Sequence, residues 1–304
     1  MSAPSNSWKS ALEHIWGQYR VWSATSRAYK RRLSRWRRIV LTLGVAGGVA
    51  GVLSSQQWIP WGGIWPPLPK ALGAASAVLL GLAAYFSKEI LSPDDEGRWI
   101  RARAATEAFK REAYLLLARV PPYDGPAVTL ERANEINSAV EGLRYERLGP
   151  EQKLESMPDA PLSVSDYVRV RVKEQVENFY EPAAEKNWAV ARKVKAITIA
   201  LGALTIVLGA LGFLWVGVPA FAAVVTTVSA SLAAYLYAGR YQYLAVSYLA
   251  TAQKLEGLRV AWEVSGKTDA DTAERNKFIL DCEAVFAAES GAWMAEWTKP
   301  AGKA

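Results

Sequence analysis

An all-α integral membrane protein, built as two parallel helix–transmembrane hairpin–helix repeats with long cytoplasmic helices, is the fold class this sequence predicts. Three observations predict it. Charge-free stretches are long enough to cross a bilayer, basic residues gather at one set of their flanks, and a pattern recurs after 150 to 161 residues. The repeats divide the chain into a first unit over 1–120, a connector over 121–163 and a second unit over 164–304.

The N-terminal segment places Trp8, Leu12, Ile15, Tyr19, Trp22, Tyr29, Leu33 and Trp36 at gaps that alternate four and three, with one position missed. Such a stripe predicts a helix with one packed face, able to run without a break into the first span. No charge occurs from Ile39 to Pro69 or from Ala71 to Ser87, so spans are expected at about 39–58 and 68–87. Between them Trp61 to Pro67 forms an aromatic turn suited to the membrane–water interface. Ser92-Pro93-Asp94-Asp95-Glu96 reads as a break and a new helix start, with a cap, a proline and acids in the first turn. Helical residues follow from Trp99 to Arg119, and Pro121–Pro161 is punctuated by Pro and Gly.

The second unit holds 44 charge-free residues from Ala196 to Gly239. As one helix they would reach roughly 66 Å, about two thicknesses of a ~30 Å hydrocarbon core. Gly217-Val218-Pro219 near the middle breaks them into spans at about 196–216 and 219–239. A helix follows over Tyr241 to Val264. The last helix, from about Asp269, carries Phe278, Cys282, Phe286, Glu289, Trp293 and Trp297 on one side. A soluble protein with two buried hairpins would be the competing fold, but charge-free helical runs near 20 residues are read as spanning.

The repeat is visible residue by residue. Tyr19 stands 13 residues before Arg32, and Tyr180 stands 13 before Lys193; Leu82-Ala83-Ala84-Tyr85 recurs as Leu232-Ala233-Ala234-Tyr235. The offset shrinks from 161 to 150 because the first hairpin has the longer turn. The halves are parallel repeats, not inverted ones.

Flanking charge sets the expected orientation. Arg31, Arg32, Arg35, Arg37 and Arg38 precede span one, and Arg192, Lys193 and Lys195 precede span three. Lys88 follows span two and Arg240 follows span four. By the positive-inside rule these flanks are cytoplasmic, which places both termini in the cytoplasm of a multi-pass inner-membrane protein. An arginine cluster can also contact nucleic acid, but one abutting a span is better read as a lipid anchor, and no nucleic-acid partner is expected. Met1 to Ser7 lacks the pattern of a cleavable signal, so insertion is expected to rest on the internal spans.

Within the spans, Gly44/Gly48 and Gly47/Gly51 stand at GxxxG spacing, and Gly202 and Gly209 form a further pair. Small residues let helices approach closely in lipid, so these six are candidates for helix packing and assembly. Thr226, Thr227, Ser229, Ser231 and Tyr235 on span four are candidates for a polar seam or pore lining. Apart from Lys70 at the start of span two, the spans contain no acidic or basic side chain, which argues against a small-solute transporter. One cysteine (Cys282) and one histidine (His14) exclude an intrachain disulfide and a Cys/His metal cluster. No Walker loop, HExxH or nucleophile elbow is present. The Gly44–Gly51 run fails GxGxxG spacing, so neither an enzyme nor a cofactor is expected.

Tyr167, Arg171, Val172, Gln175 and Tyr180, ahead of a basic stretch and a tight apolar hairpin, resemble the SLATT proteins, the SMODS- and SLOG-associating two-transmembrane effectors. Cys282, Glu283, Glu289 and Trp293 are spaced like that family's closing helix. The match covers about Val164–Trp297; the first half shares the hairpin plan without a comparable closing helix, so the chain resembles a tandem of two such units. The resemblance implies a membrane effector of a bacterial conflict system that oligomerises into a pore. It also implies activation by a partner that makes or senses a nucleotide signal. A membrane-anchored scaffold that recruits a partner without conducting is the alternative from another class.

Overall fold

The structure, a computed structural model, describes residues 6–56, 67–123, 126–148, 156–158, 161–214 and 217–297. Every regular element among them is helical, and no strand occurs among the described residues. Helix α1 (Asn6–Ser54) runs without a break from the N-terminal stripe into the first span. Along it Leu12, Ile15, Tyr19, Trp22, Tyr29 and Leu33 are buried, the face that their four-and-three spacing predicts. The turn residues Trp61–Pro66 lie outside the described residues.

Helix α2 is Leu68–Glu89, and α3 (Pro93–Leu117) starts at the predicted proline with Asp94, Asp95 and Glu96 in its first turn. Arg119, at φ 51°, ends α3 in the left-handed region. Its N–H donates to Leu116 O at 3.1 Å, and the Val120 N–H donates to Leu115 O at 3.1 Å. This paired closure satisfies two end carbonyls and buries Val120 completely. Within the connector, α4 (Pro126–Ala139) is followed by a 3₁₀ turn, Glu141–Glu146.

Helix α5 is continuous over Val164–Leu211. Its first turns are wound with π geometry at Val168–Lys173 and Val176–Tyr180. That geometry has a consequence for the motif found in sequence. Tyr167, Arg171, Val176 and Tyr180 are separated by four, five and four residues, and all four are buried. With about 100° per residue an α-helix would turn Tyr180 about 220° from Tyr167, onto the opposite side. The wider π turns hold more residues each and keep all four on one face.

Helices α6 (Val218–Gly239) and α7 (Tyr241–Val264) are separated by Arg240 at φ 47°. A Cβ on Gly239 would come within 2.1 Å of the Tyr241 ring, so only glycine fits before this kink. Helix α8 is Thr272–Trp297.

The chain forms two compact units. A polar unit gathers 1–31, 94–185 and 245–304; an apolar unit gathers 32–93 and 186–244. These units cut across the sequence division at 1–120, 121–163 and 164–304, because each repeat contributes helices to both. The physical reason is polarity: segments of like solvation cluster together whichever repeat they come from. Charge divides in the same way. The apolar unit holds eleven Lys and Arg against one acid (Glu89), whereas the polar unit holds 25 against 28. All of the chain's net positive charge therefore belongs to the apolar unit.

Candidate functional site

The polar unit is a helical bundle whose centre contains a closed ion pair. Helix α5 is set in place at its first residues. The Ser163 hydroxyl accepts from the Asp166 N–H at 3.0 Å, and the Val164 N–H donates to Asp269 Oδ1 at 2.9 Å. One turn on, the Tyr167 hydroxyl donates to Glu283 Oε1 at 2.9 Å. Arg171 Nε donates to the same oxygen at 2.9 Å, and Arg171 Nη2 donates to Glu283 Oε2 at 2.9 Å. The fork is bidentate, the strongest geometry for such a pair. Arg171 is 1% exposed, while Tyr167 and Glu283 are fully buried.

Aromatic faces complete the cage. The Arg171 guanidinium lies 4.0 Å from the Phe286 ring centre and 4.8 Å from that of Tyr114. Its Nη1 is buried without a hydrogen-bond partner, and ring faces supply the attraction that an oxygen would otherwise give. The Tyr114 hydroxyl donates to Val170 O at 3.2 Å, closing the cage onto the backbone of α5. Burial and the Glu283 carboxylate push the Tyr167 hydroxyl well above the usual phenol range, so it stays a donor. Burial opposes the charge on Arg171, but Glu283 more than offsets this and holds it well above its usual range.

A second contact lies two turns along α8. Arg103 of α3 approaches Glu289 at 3.7 Å and also bonds Tyr248 of α7. Burial raises Glu289 above the usual carboxylate range, Arg103 pulls it down, and Glu107 pushes it up. Tyr180 stacks on Phe286 with centroids 6.2 Å apart and meets Tyr248 at 5.8 Å. Further along the same interface, Arg275 of α8 donates through Nη2 to the carbonyls of Ala118 and Leu162. That cation caps the free C-terminal end of α3.

Of the motif residues expected from sequence, Tyr167, Arg171, Tyr180, Cys282, Glu283 and Glu289 converge here; Gln175 is half-buried on α5. The side chain of Trp293 lies outside the described residues. Cys282 is fully buried, and burial pushes its thiol far above the ordinary range. Sequence reasoning missed Arg103, Tyr114, Tyr248 and the buried Glu112. Nothing in the local pattern marks Arg103 out from Arg101 or Arg111, because only the fold decides which helix face is covered. The arrangement ties α5 to α8 through a buried, bidentate charge pair, the geometry of a clasp. A cavity of about 550 Å³ lies beside it, sharing Tyr114 and lined by Asp166, Arg169 and Glu174.

The apolar unit sorts the predicted span residues into two classes. A Cβ on Gly47 would meet Leu80 at 2.9 Å, one on Gly48 would meet Thr227 at 3.2 Å, and one on Gly51 would meet Ser76 Oγ at 2.7 Å. The Ser76 hydroxyl in turn donates to Gly47 O at 2.7 Å. These three glycines pack the spans within one chain. Gly44, Gly202 and Gly209 have open space where a Cβ would stand. The hydroxyl set also divides. Thr227, Ser231 and Tyr235, four residues apart, share one side of α6, whereas Thr226 and Ser229 point to another. The Thr226, Thr227 and Ser231 hydroxyls donate to carbonyls four residues back. Tyr235 accepts from the Tyr241 hydroxyl at 2.9 Å. Among the basic flank, Arg31, Arg32, Arg35, Arg38, Arg192, Lys193 and Lys195 are exposed and Arg37 is half-buried.

Residues 167–293 match the family model described as SMODS and SLOG-associating 2TM effector domain 1. Residues 20–129 match a different one, described as a protein of unknown function (DUF4231). The two halves therefore match separate models, and the tandem reading has family support in its second unit. No curated protein and no solved structure matches the chain.

Proposed function

We propose, for a chain that belongs to the SMODS and SLOG-associating two-transmembrane effector family through residues 167–293, that it is a membrane effector which oligomerises and breaches the bilayer. The family domain is a two-transmembrane effector domain of conflict systems, and the chain carries four helices long and apolar enough to cross a membrane. The observation that carries the reading is how little of those spans is covered. Only 0–6% of the residues in each apolar window are buried within one chain. Lipid covers part of that surface. The open stripe Thr198-Gly202-Thr205-Gly209 on α5, with four-three-four spacing, is suited to close approach by another copy.

The hydroxyls of α6 supply a lining without fixed charge, which would conduct with weak selectivity. Ten of the eleven basic residues of the apolar unit flank spans on what would be a single side, Lys70 being the exception. That asymmetry supports an inner-membrane protein with both termini and the polar unit in the cytoplasm. A nucleotide-signal synthase or sensor acting on the polar unit is the partner proposed.

The test is reconstitution of the purified chain in liposomes loaded with a fluorescent ion reporter, with and without cyclic and linear nucleotides. Nucleotide-triggered flux supports a gated pore. Flux without nucleotide places control in a partner protein. Confirmed insertion with no flux under any condition removes the pore and leaves a membrane-anchored scaffold.

A further inference from the structure

Away from the clasp, the polar unit contains a second cavity of about 360 Å³, lined by two arginines without a carboxylate partner and by two unsatisfied buried polar atoms. Arg144 belongs to the 3₁₀ turn and Arg147 follows its end, three residues on. A 3₁₀ turn brings residues three apart onto one side, and both arginines line the cavity. Neither has a carboxylate within ion-pair distance among the described residues. Arg147 is held by the Gln18 amide oxygen and lies 5.2 Å over the Trp22 ring. Burial lowers its proton affinity and the Arg144 charge lowers it further, with no acid acting in the other direction.

Two neutral groups on the cavity are also unsatisfied. Trp22 lines the cavity at 1% exposure, and its indole N–H, which can only donate, is buried without an acceptor. The Asn137 side-chain oxygen, an acceptor, is also buried without a donor. Buried polar atoms are satisfied in the great majority of cases, so the indole N–H beside two arginines without a carboxylate points to a missing acceptor, and the Asn137 oxygen points to a donor on the same ligand. The missing group is anionic and rich in acceptor oxygens. Guanidinium pairs match phosphate oxygens by geometry as well as charge.

The volume exceeds that of a lone oxyanion and lies in the range of small-molecule pockets. Glu141 on the same wall would repel a second anionic end but can accept from a hydroxyl or amine. We propose that this cavity binds a small molecule carrying a phosphate group on a neutral, hydroxyl- or amino-bearing body. The phosphate sits on Arg144, Arg147 and the Trp22 N–H, and the body faces Asn137, Ser138 and Glu141. The assignment goes beyond the pore reading and stands whether or not the apolar unit conducts.

A free phosphorylated metabolite and a phospholipid headgroup share this chemistry, and the experiment separates them. The full chain is placed in phosphatidylcholine nanodiscs and titrated calorimetrically with adenosine monophosphate and with glycerol 3-phosphate. The expected result is one saturable site per chain, weakened at least tenfold by R144Q and by N137L. Arg144 is exposed, so R144Q should leave the melting curve of the unliganded protein unchanged. If neither probe binds but added phosphatidylglycerol raises the melting temperature of wild type and not of R144Q, the bound phosphate is a lipid's. Binding that R144Q leaves intact, or no R144Q-sensitive response to any of the three, overturns the proposal.

Discussion

Arg171 on α5 and Glu283 on α8 form a bidentate ion pair in which both partners are sealed from solvent. Sealing makes the pair a constraint on which helices meet, and it makes loss of one partner costly. Removing one half of a buried pair leaves an uncompensated charge, which costs about 3–5 kcal/mol. R171M and E283L should each lower the thermal stability of the purified protein by that order. The double variant R171M/E283L should recover most of it, since no orphan charge remains. Melting curves of the four proteins form the cycle, and strictly additive losses would mean the two residues do not act as a pair.

Arg103 and Glu289 make a looser contact, 3.7 Å apart, and here the pH dependence is the diagnostic. Glu289 already has a raised proton affinity from burial, restrained by Arg103. R103Q lifts the restraint, so the folded carboxyl holds its proton to higher pH than the unfolded one. Between those two values the folded state binds more protons, and stability falls as pH rises. R103Q should therefore lose about 2–3 kcal/mol at about pH 8 and clearly less at about pH 5.5. An equal loss at both would show that Arg103 acts through packing alone.

How much of this was readable beforehand depends on range along the chain. The spans and the buried face of α1 follow from local periodicity, so Ile15, Tyr19 and Trp22 could be assigned from spacing. The pairing of Arg171 with Glu283 bridges 112 residues, and no local pattern specifies it. Its residues were singled out only through resemblance, without their geometry. Tyr180 would have been placed on the wrong side of α5, because an α-helical period fails across two π segments. The division at 1–120, 121–163 and 164–304 follows the sequence repeat, whereas the compact units follow polarity. Gly48 and Gly202 look alike in sequence, and only the fold shows that one is covered and the other open.

Glu112 on α3 is buried with Oε2 unpaired. Burial raises its proton affinity above the usual carboxylate range, Arg111 and Arg132 oppose this, and nearby Glu283 adds to it. A raised carboxyl stabilises the fold while protonated and withdraws that support as pH climbs through its folded value. E112Q removes the titration while keeping the shape. Its melting temperature should exceed wild type by a few degrees at about pH 8, equivalent to about 1 kcal/mol, with little difference at about pH 5. A lower melting temperature at both would indicate that the carboxylate has a partner worth more than its burial costs.

Cys282 is fully buried next to Glu283, and burial raises its thiol far above the ordinary range. Only the thiolate reacts readily, so the native protein should resist a maleimide. Mass spectrometry should find almost no adduct on the folded chain and one adduct after denaturation. Rapid labelling of the native protein would show that α8 leaves the bundle on the timescale of the reaction.

The open and covered glycines separate folding from assembly. At Gly51 a Cβ would come within 2.7 Å of Ser76 Oγ, the hydroxyl that bonds Gly47 O. G51L therefore disturbs the hairpin itself and should lower stability by about 1–3 kcal/mol through overpacking. At Gly202 and Gly209 nothing in the chain stands within 4 Å of a Cβ. G202L and G209L should leave the single chain's fold intact, and glycine in a helix interior gains propensity on replacement. Their effect should fall on contacts between copies. Crosslinking in native membranes should show wild-type oligomers persisting in neither variant, while melting of the detergent-solubilised chain stays at or above wild type. Oligomers that survive both substitutions would move the assembly interface off this stripe of α5, with Gly44 on α1 as the next open position to test.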